Sequence, residues 1–206
     1  MSFLDLLFPV FCLECKKQGK YICDNCLSKV KVINQFDPIS KTFSVFRYEG
    51  VIRKAIIKIK YNFAHDIARE LAEVCAKNLN LPLTINYLLH TTLIPIPLHR
   101  SRERWRGFNQ SEILGKLIAK KLNWGFEKDL LIRPIEGKNQ VGLPKSDRVR
   151  NIRGKFAVLP RHSLAEAGVT YIIFDDVATT GSTIKEAIKV LNKAGTNKVV
   201  GLTVAS

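Results

Sequence analysis

No stretch of this sequence approaches the ~20 consecutive apolar residues that cross a bilayer, and no internal repeat or low-complexity run interrupts it. The first absence argues against membrane insertion, the second against intrinsic disorder. Acidic residues are scarce: 18 Asp and Glu stand against 33 Lys and Arg, a formal charge of +15. That balance is unlike the near-neutral one of most metabolic enzymes. It attracts polyanions: nucleic acid, anionic lipid or a polyphosphate substrate. The common glycine-rich nucleotide motifs are missing too, since the chain has neither a G-x-G-x-x-G nor a G-K-[ST]. The apolar opening "MSFLDLLFPVFC" lacks a basic n-region and a small-residue cleavage site and carries Asp5. It reads as folded protein rather than a secretory signal.

What is present suffices for one folded domain with a small appendage: 206 residues, 46% of them apolar. Four of the five cysteines fall in "CLECKKQGKYICDNC", as Cys12, Cys15, Cys23 and Cys26. Two C-x-x-C knuckles turn four thiolates toward one point, the tetrahedral sulfur set of a structural zinc site. The competing readings are a pair of disulfides, which needs an oxidising compartment, and a thioredoxin-like redox pair, which needs a knuckle opening a helix of a βαβ unit. The short segment between the knuckles predicts a compact two-turn finger. Cys75, in the helical context "RELAEVCAKNL", is a small buried hydrophobe.

Asn34, Asp37, Pro38 and Ser40 are turn formers that mark a boundary, giving a finger over 1–38 and a main domain over 39–206. Alternation predicts a strand over Thr42 to Tyr48. Apolar stripes of Ile56, Ile59 and Phe63, then Ile67, Leu71 and Val74, predict two helices. Further strands are expected at Thr91 to Pro97, Asp129 to Ile135, Lys155 to Leu159, Thr170 to Phe174 and Lys198 to Val204. Helices are expected over Asn109 to Leu122 and Thr183 to Ala194, and a long polar loop over Glu136 to Gly154. Strands alternating with helices imply an α/β fold with a mostly parallel sheet, whose ligands lie beyond the carboxyl ends of the strands.

In "YIIFDDVATTGST", Asp175 and Asp176 follow a buried strand at such a carboxyl end. Carboxylates there are acceptors suited to vicinal sugar hydroxyls, directly or through a metal ion. Thr179, Thr180, Gly181, Ser182 and Thr183 then offer hydroxyls and successive backbone N–H groups at a helix start, an anion cradle with the helix dipole behind it. Carboxylates for hydroxyls beside donors for a phosphate describe a phosphorylated ribose. The alternative is an ordinary N-capped turn with two solvated aspartates.

Four apolar residues, two acidic residues and a T-G-x-T ending resemble the signature of type I phosphoribosyltransferases, which bind phosphoribosyl pyrophosphate with magnesium. The resemblance narrows over nearly the whole chain. The four-cysteine finger, "FRYEGVIRKAIIKIKY", "IPIPLHRSRERWRGFNQSE", "NQVGLPKSDRVRNIRGKF" and the signature, in that order, are similar to the ComF family of competence proteins. That resemblance implies a phosphoribosyltransferase-type sheet with an N-terminal zinc finger. It also implies a role in natural transformation, where incoming single-stranded DNA is handled on the cytoplasmic side.

It further implies a pyrophosphate loop after Pro97, with Leu98, His99 and Arg100 supplying amides and a cation, and a hood over Glu136 to Gly154. Both are basic beyond a pyrophosphate's need: Arg100, Arg102, Arg104 and Arg106 in or after the first, Lys145, Arg148, Arg150 and Arg153 in the second. Trp105 and Phe108 interleave with the first set, as on surfaces that stack bases while cations track a single strand. Alternatively, the two aromatics anchor the loop in the core and the arginines are a solvated face. His99 is either an acid or base beside the pyrophosphate or the hydrogen-bonding holder of its turn. Thr179 stands where purine-salvage members carry an aspartate, which leaves any acceptor base unidentified. Three functions follow: a binder of single-stranded DNA and phosphoribosyl pyrophosphate, an active phosphoribosyltransferase, or an adaptor whose finger meets a replication or recombination protein.

Overall fold

The computed structural model describes residues 9–62, 64–81, 90–134, 154–159, 169–196 and 198–206. Six strands form one sheet in the order β1-β2-β8-β7-β3-β4: β1 Val32–Asp37, β2 Thr42–Phe46, β3 Thr91–Pro95, β4 Gly125–Phe126, β7 Thr170–Val177 and β8 Val199–Ala205. All neighbours run parallel except the hairpin β1–β2. The expected mostly parallel α/β sheet is therefore present, with the cysteine cluster at its N-terminal end, an arrangement consistent with a phosphoribosyltransferase-like fold. No helix among the described residues is long and apolar enough to cross a membrane.

The centre of the sheet is buried on both faces, which is why its strands read as continuous apolar runs rather than alternating ones. Along β7, Ile172 and Phe174 point into one core and Tyr171 and Ile173 into the other. The first core is closed by α2 Gly50–Asn62, α3 His65–Asn78 and α5 Gln110–Leu122. The second is closed by α6 Ser182–Lys193, with Ile184, Ile188 and Leu191 on its buried stripe. The finger region, with its single-turn helix α1 Asp24–Leu27, does not hang free. Cys12, Ile22, Cys26 and Val30 belong to the first core. Glu70 of α3 also accepts the backbone N–H groups of Tyr21 and Ile22 at 3.0 and 2.7 Å.

Several elements differ from the sequence expectation. Residues 32–37, among the turn formers, form the edge strand β1, with a bulge between Val32 and Gln35. The expected strands at 129–135 and 155–159 shorten to β5 Leu131–Ile132 and β6 Ala157–Val158, an antiparallel ribbon apart from the main sheet. The segment after Pro97, read as a loop, becomes helical as α4 Arg100–Arg106. His99 caps α4 at its start, and Gly107 closes it in the left-handed conformation at φ 81°.

Candidate phosphoribosyl and nucleic-acid site

At the carboxyl ends of β3 and β7 lies a crevice of about 750 Å³, floored by Asp175 to Ile184 and walled by α2, α4 and the start of α5. β7 runs three residues further than its apolar stretch suggests, so both aspartates belong to the strand and hold fixed directions. Asp176 continues the Ile172–Phe174 face and meets α2, where Lys60 Nζ donates to its Oδ2 at 2.7 Å. Burial opposes the Lys60 ammonium most strongly, but the charge and hydrogen bond of Asp176 together with the charge of Asp175 hold the lysine above its ordinary range.

Asp175 forms no ion pair among the described residues, Lys60 being paired with Asp176. Its Oδ1 accepts from Ser111 Oγ at 2.8 Å and from the backbone N–H of Asp176 at 2.9 Å. Burial, and next the negative charge of Asp176, push its carboxyl up to about 7, against the pull of Ser111 and Lys60. Two adjacent carboxylates thus differ: one ion-paired, the other poised to exchange a proton near neutral pH.

The loop after β7 forms the expected concavity at a helix start. Gly181 sits at φ 63°, and a Cβ there would fall 2.4 Å from Ser40 Cβ, so left-handed backbone and close approach both demand glycine. Thr180 Oγ1 lies 2.8 Å from Ser182 Oγ and accepts the Ser182 N–H at 3.4 Å. Beyond Ser182, the N–H groups opening α6 have no partner within their own helix, an arrangement suited to an anion. Thr179, Thr180, Gly181, Ser182 and Thr183 all line the crevice with both aspartates.

The basic loop residues divide. Leu98, Arg102 and Arg106 line this crevice. Arg100 lines an adjoining cleft of about 540 Å³ that also touches Leu98. Arg104 and Trp105 face solvent, Trp105 at 76% exposure. Phe108 is buried beside Ile59, Ala68 and Ile113 and has no free ring face, so the core-anchor alternative describes it and the stacking one does not. His99 holds its turn: Nδ1 lies 2.9 Å from Ser101 Oγ and accepts the Ser101 N–H at 3.3 Å. Lys145, Arg148, Arg150 and Arg153, with nearly all of the expected hood, lie outside the described residues.

Sequence reasoning passed over Lys60, Ser111 and Arg133. Lys60 carried a readable signal, a cation beside Ile59 in the apolar stripe of α2. Ser111 lies one residue beyond the capped start of α5, where Asn109 Oδ1 accepts the Ser111 N–H at 3.0 Å and Asn109 Nδ2 donates to the Ile96 carbonyl at 3.0 Å. Arg133 carried none. It is buried, with its guanidinium 5.5 Å over the Phe156 ring, and it lines both clefts.

In the finger region the sulfurs of Cys12, Cys15, Cys23 and Cys26 lie within 4.8 Å of one another, with Cys15 and Cys23 at 3.6 Å. Burial opposes ionisation of Cys12, yet backbone N–H groups of Cys23, Cys15 and Glu14 aimed at its sulfur bring that thiol down to about 6. The set can hold one metal ion, and sulfur-only tetrahedral donors suit zinc.

No family model matches the chain. Competence protein F of Haemophilus influenzae is 27% identical over 205 residues, covering 93% of this chain and 82% of that protein. The DNA utilization protein YhgH of Escherichia coli K12 is 28% identical over 174 residues, covering 84% and 72%. Competence protein ComFC of Bacillus subtilis is 23% identical over 160 residues, covering 74% and 58%. This chain is their homologue. A match over 93% of the chain takes in the crevice residues in the first case.

Proposed function

We propose that this protein acts in competence, binding single-stranded DNA and phosphoribosyl pyrophosphate during DNA uptake in natural transformation. The observation that carries the reading is one crevice holding the Asp175–Asp176 pair, the Thr179–Thr183 cradle and two arginines of α4. The names of the homologues, two competence proteins and a DNA utilization protein, supply the biological setting. In this reading Asp175 and Asp176 take the ribose hydroxyls, directly or through the magnesium that travels with the ligand. The cradle takes the 5-phosphate, and Leu98 to Arg100 serve the pyrophosphate. Arg102, Arg106, Arg104 and exposed Trp105 continue the surface outward for a single strand, cations on phosphates and the indole on a base. Cys12, Cys15, Cys23 and Cys26 hold structural zinc in a finger that ends before residue 39 and lends β1 to the phosphoribosyl-binding domain. The setting is cytoplasmic, where the incoming strand arrives.

Fluorescence anisotropy of a labelled oligonucleotide, titrated across a salt series with and without magnesium phosphoribosyl pyrophosphate, tests the reading. Binding that weakens steeply with salt and is competed by the sugar phosphate is expected. D175N/D176N should lose phosphoribosyl pyrophosphate affinity at least tenfold, and unchanged affinity would overturn the assignment. The proton-exchanging Asp175 favours a second reading, a true phosphoribosyltransferase acting on a base or nucleotide, since a carboxyl near 7 suits general acid–base work. Pyrophosphate release in the presence of candidate bases, abolished by the same substitutions, would establish it.

A further inference from the structure

Alongside the crevice, separated from it by Ser40, a second concavity of about 370 Å³ runs between α6 and the β1–β2 turn. Four lysines line it, Lys41, Lys185, Lys189 and Lys193, with Ser40 and Asn192, around a surface that is largely apolar and includes Ile39 and Ile188. No carboxylate lines it among the described residues. Asp37, the carboxylate that feels the charge of Lys185, is occupied in the turn, accepting from Ser40 Oγ at 2.6 Å and from the Ile39 N–H at 3.0 Å.

Lys185, Lys189 and Lys193 recur every four residues, so they stand in a row ~12 Å long on one side of α6. A row of compact cations suits a chain of phosphates, and lysines bind phosphate without reading sequence. Ile39, 75% exposed at the rim, gives an unstacked base an apolar surface. The row begins one turn into the helix whose first residues make the cradle, so groove and crevice adjoin on either side of the Ser40–Gly181 contact.

We infer that the α6 groove is a second contact for single-stranded nucleic acid, carrying the phosphate backbone away from the crevice along Lys185, Lys189 and Lys193. This rests on the single-strand reading of the crevice, and the experiment separates the two. Oligonucleotide affinity is measured across salt for the wild type, for K185Q/K189Q/K193Q and for R102Q/R106Q, each checked for an unchanged thermal midpoint. K41Q, on the opposite wall, provides an independent variant.

The groove variant is expected to flatten the dependence of log affinity on log salt by about 2, the release of about three phosphate contacts. Its low-salt affinity should fall roughly tenfold and its phosphoribosyl pyrophosphate affinity should stay unchanged. An unchanged slope in the groove variant, with loss in the α4 variant, overturns the groove alone and leaves the crevice reading standing. Absence of binding by the wild type overturns both. Loss of binding to phosphatidylserine vesicles with an unchanged oligonucleotide slope assigns the groove to a lipid surface and overturns the inference.

Discussion

Lys60 decides how two carboxylates coexist in one crevice. With its side chain 25% exposed and that of Asp176 5% exposed, the pair is largely desolvated, and removing one partner leaves the other buried without compensation. Lys60→Met should therefore cost about 2–3 kcal/mol in urea unfolding, and a loss under ~0.5 kcal/mol would show the pair to be a surface contact. Asp175 gives the complementary case. Its folded carboxyl is raised above its unfolded value, so the stability it contributes is fully present at low pH and is lost as pH rises toward about 7. Asp175→Asn, which keeps an acceptor for Ser111, should stabilise the protein above pH 7 by on the order of 1–2 kcal/mol and change little at pH 4. Thermal midpoints at both pH values check this, and equal effects would remove the titration from Asp175.

At the scale of elements, α4 matters because it aims the arginines. It has no buried residue, so no apolar face anchors it to the core. His99→Ala removes the Nδ1 cap and should cost about 1 kcal/mol and fray the helix. Oligonucleotide affinity should fall with it while the overall fold persists, and an unchanged affinity would detach α4 from recognition. The same lack of an apolar stripe explains why "HRSRERWR" did not read as a helix. The elements with stripes or alternation, α2, α3, α5, α6, β2, β7 and β8, were legible because each buries a face, and the sequence order of their patterns carried the parallel sheet. β1 was hidden because none of its residues is buried and its Asn34 sits at φ 41°, so its place depends on pairing with β2 rather than on its own pattern. In the site, the contiguous signature could be read, whereas Lys60, Ser111 and Arg133 come from three other elements and meet it only through the fold.

At the scale of the whole molecule, the finger and the sheet share one core. Cys12, Ile22, Cys26 and Val30 pack with residues of α2, α3 and β8, and Glu70 ties the finger's backbone to α3. A separate finger would unfold alone when its metal is withdrawn, but a shared core makes its loss a loss for α2 and α3 as well. With zinc as the proposed ion, metal binding is folding free energy for the entire chain. Chelation, or Cys23→Ser with Cys26→Ser, should therefore lower the midpoint of one cooperative calorimetric transition, by at least about 10 °C, rather than remove a small early one. Glu70→Ala should act in the same direction through two part-buried N–H groups left without their acceptor, at about 1–3 kcal/mol. Because α2 also carries Lys60, the metal-free protein should lose phosphoribosyl pyrophosphate affinity although no cysteine lines the crevice. Two separate calorimetric transitions with affinity retained after chelation would make the finger an independent module and break this link between metal and site.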